Sequence, residues 1–511
     1  MEKLVTTQTM ENIDRRAQSE WEIPPLLLME NAGVKGWQAF IASAEKQWYT
    51  QSIVFVAGGG NNGGDALVMA REAHLTGFTK IKLILVGSRL SEAALIQRKI
   101  VTRLGLPMLE SGTNEAREEL MRASLIIDGI VGTGLRGPLK GEAEELVKFI
   151  NAQKERGAHI LSIDAPSGCS DTFPANAVHV LADTTVTMGL GKSCAYHPYN
   201  REGWGEILKV NPSFPLQLLE EAPPEAFLSY PQELTLAKLE ESAYKNRRGH
   251  LALFAGSTTY PGAAKLAAKG AFNSRCGLVT LFGDSALKPL VAQESSSLIL
   301  RESPVRFNEL KGDYNAIVAG PGWSQGEGKQ LLEILSSALP LVLDAAAIDL
   351  FATLLATERI GKTEHGPLVL TPHPGELNRL LETLYMPLLA QECGPASSSE
   401  EFLGALKKIV HLFEVTLVYK SSLIWIVDPN HPPVVVEGRN NAMGVAGSGD
   451  VLSGIIGSLL AQGLPPFEAA HTGVLIHQQA GLAGREKWGY FDSETLVNEV
   501  GLVCRRAEER L

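Results

Sequence analysis

"SIVFVAGGGNNGGDALVMAR", residues 52–71, decides how the first half of the chain is read. An apolar, β-branched run passes straight into a glycine-rich turn, and the turn into a helical pattern. Strand, turn and helix in that order open a βαβ unit. Residues 58–63 also satisfy G-x-G-x-x-G. A dinucleotide fingerprint demands more, an acid about 20 residues on at the end of the next strand. The next apolar run ends "ILVGSRL", with no acid there. A second match, "GTGLRG" at 132–137, is followed by a strand ending at Asp164, but inside the tight polar turn "DAPSG". Neither copy is a clean dinucleotide site. The asparagines and Asp65, which the fingerprint ignores, become the residues to explain.

The same rhythm continues outward. "IKLILVG", "SLIIDGI" and "HILSIDA" alternate with helix-length segments, the pattern of a parallel sheet covered on both faces. Residues 211–233 carry five prolines and interrupt it. It resumes with "HLALFAGS", "AIVAGPG", "PLVLDAA", "PLVLTPH" and "TLVYKSS", and closes on a hairpin pattern, "IWIVDP" and "PVVVEG". Two α/β domains are expected, residues 1–222 and 235–511, joined by a proline-rich linker at 223–234. The glycine-rich and acidic clusters follow the apolar runs, which puts them at the carboxyl edge of each sheet, where open α/β folds bind ligands.

Composition narrows the functional classes. A net charge of −11 over 511 residues argues against a nucleic-acid surface. No apolar run reaches the length of a membrane span, and the first 18 residues lack the apolar core of a signal peptide. Cys169, Cys194, Cys276, Cys393 and Cys504 form no CxxC pair, so no structural zinc and a reducing, cytoplasmic setting are expected.

Three clusters should meet on the first sheet edge: Asn61, Asn62 and Asp65; Asp128 with "GTGLRGP"; and Asp164 with Ser167. Amide and carboxylate oxygens suit a hard cation and glycine amides suit phosphates. Ordinary turn chemistry uses the same residue types. In the second half, "NAMGVAGSGDVLSGIIGSLLAQG" at 441–463 leads a glycine run into an apolar helix with Asp450 in its first turn. Amides at a helix N-terminus stabilise an anion, and a carboxylate beside them can take a proton from a substrate hydroxyl. Asp450 can equally serve as a cap. No Walker A loop is present: "MGLGKSC" at 188–194 has Val186 where the first glycine belongs.

Two resemblances then become specific. "LMENAG" at 28–33, "GGGNNGGDALVMAR", "DGIVGTGLRGP" and "IDAPSG" resemble the NAD(P)H-hydrate epimerase (YjeF N-terminal) family over roughly residues 1–215. The resemblance implies a Rossmann-like fold, interconversion of the two C6 epimers of hydrated NADH and NADPH, and a potassium ion. It implies Asn62, Asp128 and Ser167 as potassium ligands. It implies substrate contacts from Asn61, Asn62, Gly63, Gly64 and Asp65, from Gly132, Thr133, Gly134, Leu135, Arg136, Gly137 and Pro138, and from Asp164, which is the candidate acid/base. Lys192 stands either near the phosphates or on the surface. "RRGHLALFAGSTTYPGAAKLAAKGAFNSRCGLVTL" (247–281), "VAGPGWS" (318–324), "LTPHPGE" (370–376), "VYKSS" (418–422) and "GSGD" resemble the ribokinase-like NAD(P)H-hydrate dehydratases over roughly 235–511. That family uses ADP or ATP, with Mg2+, to drive water from the S-hydrate. The resemblance implies Asp450 as catalytic base, with Ala263, Gly322, His373 and Asp450 on the hydrate. It implies Lys420, Ser421, Ser422, Leu423, Ile424 and Gly449 on the nucleotide. "LDAAAID" at 343–349, Ser448 and Ile424 depart from the family pattern, Ile424 replacing a usual Thr.

The combined expectation is a bifunctional repair enzyme, assembled as a homo-oligomer. A ribokinase-like small-molecule kinase with an accessory domain, and a first domain that only binds nucleotide-like ligands, are the alternatives.

Overall fold

The computed structural model describes residues 1–43, 48–87, 89–291, 297–303, 310, 312–324, 327–362 and 365–510. The chain divides into two compact units. The N-terminal unit comprises Glu2–Ala226 with Gly394–Phe402, and the C-terminal unit comprises Met1, Phe227–Cys393 and Leu403–Leu511.

The N-terminal unit contains β1 (Glu2–Val5), β2 (Ile53–Ala57), β3 (Ile81–Leu85), β4 (Met108–Glu110), β5 (Leu125–Gly129), β6 (His159–Ile163), β7 (Thr184–Met188), β8 (Gly191–Lys192) and β9 (Glu206–Val210). Seven of them form a sheet ordered β4-β3-β2-β5-β6-β7-β9, parallel throughout. Phe55, Leu83, Ile127 and Leu161 face one core, and Val54, Ile84, Ile126 and Ile160 face another. Period-two alternation with both faces buried is why these strands read as unbroken apolar runs. Within this sheet the chain enters at β2, moves outward through β3 and β4, then returns to lay β5 on the other flank of β2. The strand order therefore reverses between β2 and β5, and a crevice opens at such a switch point.

The C-terminal unit contains β10 (Ala226–Ser229), β11 (His250–Phe254), β12 (Leu278–Gly283), β13 (Ile299–Glu302), β14 (Ala316–Ala319), β15 (Leu341–Leu343), β16 (Leu368–Leu370), β17 (Val415–Lys420), β18 (Leu423–Asp428) and β19 (His431–Glu437). Their order is β13-β12-β11-β14-β15-β16-β17-β18-β19-β10. Strands β11 to β17 are parallel, and β17, β18 and β19 are antiparallel, which realises the hairpin read from "IWIVDP" and "PVVVEG". This order reverses between β11 and β14.

The proline-rich stretch is more ordered than a bare linker. It holds a helix, Leu216–Glu221, then β10, then a short 3-10 turn, Pro231–Glu233. Leu218 joins Met10 and Ile13 in the N-terminal unit, while Phe227–Ser229 pair with Val434–Val436 in the other. The prolines stand before or between these elements, or, as Pro231, at the first position of one, where a missing N–H costs nothing. Among the described residues no helix is long and apolar enough to cross a membrane.

Candidate active sites

A cavity of about 460 Å³ opens over the carboxyl ends of β2, β5 and β6, lined by Glu11, Asp14, Gln18, Asn61, Asn62, Asp65, Gly132, Thr133, Gly134, Arg136, Asp164 and mostly apolar neighbours. The glycine run makes room for it. A Cβ on Gly63 would fall 1.9 Å from Gly58 O, and one on Gly58 would fall 1.8 Å from Ile130 O, so the turn after β2 and the loop after β5 close up backbone to backbone. Gly63 and Gly64 are buried in the helix Asn61–Leu75, and Leu135 packs against a core. Leu135, Gly137 and Pro138 do not line the cavity.

Asp164 follows β6 in the left-handed region, φ +66°, a conformation costly for a non-glycine residue. Its Oδ1 accepts from Lys192 Nζ at 2.6 Å and Met188 N at 3.3 Å, and its Oδ2 from Thr133 Oγ1 at 3.1 Å. Burial pushes the Asp164 carboxyl up, but the Lys192 ammonium and these hydrogen bonds outweigh it and hold the group below its usual value. Asp65 behaves oppositely: burial first, then the charges of Asp164 and Asp14, push it well up. Asp14 is raised too, by burial and then by Asp164. The cavity thus presents an ionised carboxylate facing carboxyls that favour keeping their protons, the division of labour that acid–base chemistry uses.

Lys192 is not a surface residue. Its side chain is 0% exposed. Besides Asp164 it donates to Thr187 Oγ1 at 2.5 Å and Met188 O at 2.9 Å.

The expected cation ligands lie beside this cavity. Asn62 is 8% exposed, and neither Oδ1 nor Nδ2 has a hydrogen-bond partner among the described residues. Asp128, fully buried in β5, accepts from Ser167 Oγ at 2.5 Å, Ser167 N at 2.9 Å, Ser162 Oγ at 2.8 Å and Ile130 N at 3.2 Å. Burial raises the Asp128 carboxyl against those bonds. The orphaned buried amide oxygen of Asn62, and the buried carboxyl and hydroxyl of Asp128 and Ser167, are oxygen donors of the kind that suits a hard monovalent cation.

In the C-terminal unit the expected residues follow consecutive strands. Gly322 comes after β14, Asp344 after β15, His373 after β16, and Lys420 ends β17. Gly322 and Ala263 are neighbours: a Cβ on Gly322 would meet the Ala263 Cβ at 2.7 Å. His373 caps the helix Pro374–Thr383, its Nδ1 accepting from Gly375 N at 3.0 Å and Glu376 N at 3.3 Å. Gly447, in the left-handed region at φ +90°, opens the helix Ser448–Ala461, whose first turn carries Asp450. Burial, then the charge of Asp344, pushes Asp450 up to about 7, with Lys420 opposing and Glu376 adding to the rise. That value suits a group which must take up a proton near neutral pH. Leu423 and Ile424 turn their side chains into the core, Ile424 among Val418, Val436 and their neighbours. Only their backbone can serve a nucleotide.

Residues 251–500 match the family model described as NAD(P)H-hydrate dehydratase, and residues 26–194 match the YjeF-related protein N-terminus. A bifunctional NAD(P)H-hydrate repair enzyme of Moorella thermoacetica is 30% identical over 99% of this chain and 98% of its own length. The chain belongs to the bifunctional NAD(P)H-hydrate repair enzyme family. A second member, from Coxiella burnetii, is 30% identical over 90% of this chain and 91% of its own. An ADP/ATP-dependent NAD(P)H-hydrate dehydratase of Bacillus subtilis, crystallised with ATP and Mg2+, is 25% identical over 54% of this chain and 95% of that one, with a TM-score of 0.44.

Several residues around these repair-family motifs escape a reading of the sequence. Asp14 sits in the helix Thr7–Ser19 with no motif around it. Ser453 is visible only as a serine one turn beyond Asp450. His477 lies buried in the helix Pro466–Trp488, donating from Nε2 to Ser448 O at 2.9 Å. Burial pushes it down to about 4, so it braces the "GSGD" turn as a neutral ring.

Proposed function

We propose that the N-terminal unit interconverts the R and S hydrates of NADH and NADPH at C6, and that the C-terminal unit uses ADP or ATP to remove water from the S-hydrate. The observation that carries this reading is the whole-length likeness to bifunctional repair enzymes, with both sets of motif residues seated at the carboxyl edges of two separate sheets.

In the first site Thr133 and the backbone of 132–134 border the bound hydrate. The C6 hydroxyl leaves as water with a proton from the raised Asp65 carboxyl, and the Asp164 carboxylate takes a proton from the water that re-adds at C6, the two carboxyls re-equilibrating through solvent. Lys192 keeps that carboxylate ionised and fixed. Asn62, Asp128 and Ser167 hold a potassium ion, which supplies positive charge beside the buried carboxylates. In the second site Asp450 takes the proton of the C6 hydroxyl as the terminal phosphoryl group of ADP or ATP passes to that oxygen, releasing AMP or ADP. Phosphate then leaves C6 more readily than hydroxide would, and loss of a C5 proton completes the C5=C6 double bond of NAD(P)H. Amides at the start of the Ser448–Ala461 helix steady the phosphate charge. Ala263, Gly322 and His373 border the hydrate. The backbone of 420–424 and Gly449 borders the nucleotide, with Mg2+. The five cysteines are buried and free, which suits a reducing cytoplasm. We also read the chain as a homo-oligomer.

The test is NADH recovery from mixed hydrate epimers. Wild-type protein with ADP or ATP restores all of it in potassium buffer. Asp164→Ala leaves the R-epimer behind, and Asp450→Ala restores none. A wild-type chain that restores no NADH with either nucleotide refutes the proposal.

A further inference from the structure

Lys420 ends β17 inside the stretch expected to hold the adenine nucleotide, yet its ammonium is committed to carboxylates. Its Nζ donates to Asp344 Oδ1 at 2.6 Å and lies 4.0 Å from Glu376 Oε2. Asp344 is 2% exposed, and its Oδ2 accepts from the hydroxyl of Ser453, one turn beyond Asp450 on the same helix. Ser453 Oγ also stands 2.9 Å from Gly449 O. A Cβ on Gly449 would lie 3.3 Å from Lys420 Nζ, so the ammonium packs directly beneath the turn that carries Asp450. Among the described residues, the charged groups acting on Asp450 are Asp344, Lys420 and Glu376, from three different elements. The ammonium is thus held by protein carboxylates, and the phosphate charge is left to the backbone amides at the start of the Ser448–Ala461 helix.

We propose that Lys420 is a positioning residue for Asp450: tied down by Asp344, its ammonium fixes the "GSGD" turn and supplies the positive charge which the Asp450 carboxylate faces, while the backbone around it takes the nucleotide. This inference rests on the reading of Asp450 as the base of the dehydratase. The burial and charges that raise Asp450 to about 7 give the inference a sign. Losing the Lys420 charge moves that value up. Losing the Asp344 charge moves it down.

The experiment measures kcat and the KM for ADP of the full-length chain on mixed NADH hydrates between about pH 5.5 and 9. Wild type, Lys420→Met, Lys420→Arg and Asp344→Asn are compared. The wild-type rate should rise through a midpoint of about 7. Lys420→Met should lose kcat by about 10²-fold, shift the midpoint to higher pH, and change the KM for ADP by less than about twofold. Lys420→Arg should restore part of kcat and return the midpoint towards wild type. Asp344→Asn, which keeps an oxygen for Ser453, should shift the midpoint to lower pH. A Lys420→Met enzyme with a raised KM for ADP but unchanged kcat and midpoint overturns the proposal, because the lysine then holds nucleotide. An unmoved midpoint in Asp344→Asn overturns it too. In both cases wild-type activity leaves the dehydratase reading standing, whereas a wild-type chain that restores no NADH overturns both.

Discussion

Replacing Lys192 by methionine keeps most of the side-chain volume and removes one charge. The residue is fully buried, and its ammonium is the counter-charge of Asp164 at 2.6 Å. Breaking a buried pair by deleting one partner costs about 3–5 kcal/mol, because the remaining charge is left uncompensated. For a unit of this size that corresponds to a fall of roughly 6–20 °C in melting temperature at pH 7. The pH dependence sharpens the prediction. In the wild type the Asp164 carboxyl is held below 3.8, so its contribution is present above that value and is lost as pH falls through the lower folded value. In Lys192→Met only burial and the remaining hydrogen bonds act, so the group moves upward and protonation relieves it. The penalty therefore shrinks with acidity, by up to about 1.4 kcal/mol per pH unit. Calorimetry of both proteins at pH 7 and pH 5 checks this. A variant within about 1 kcal/mol of wild type at pH 7, or a penalty larger at pH 5, refutes the reasoning.

Asp65→Asn should behave in the opposite sense. Because the folded group is pushed up, wild-type stability declines as pH rises above the unfolded value of 3.8, so the asparagine variant should gain relative stability towards pH 8, read by the same calorimetry. Gly447→Ala puts a Cβ 2.4 Å from Leu266 Cδ1 at a positive φ. It should cost about 1–2 kcal/mol or more and abolish ADP-driven NADH recovery while R-to-S conversion, followed by chromatography, persists.

The strand runs of both units were legible because parallel strands buried on two faces need no polar alternation. Asp450 was legible for a similar reason: a glycine turn, an acid and an apolar helix are contiguous in the chain. What surrounds it was not. Lys420 reaches Asp344 across 76 residues, and Ser453 reaches it across 109. Lys192 meets Asp164 across 28, through a strand pairing that puts β6 beside β7. In sequence Lys192 looks like any lysine after a glycine, since nothing local reports that the space around it is closed. The prolines of 211–233 read as a linker, and only their placement outside or at the first position of each element shows how that stretch holds a helix and a strand.

The capping role of His373 has a chemical consequence for whatever binds beside it. A ring whose Nδ1 accepts two backbone amides keeps its own hydrogen on Nε2, 3.5 Å from Glu376 Oε1. It can therefore offer a ligand a hydrogen but not a lone pair. A hydroxyl or phosphate oxygen can approach the ring as an acceptor, whereas the ring itself offers nothing to a group that needs to donate. The helix start chooses the polarity of the contact before any substrate arrives.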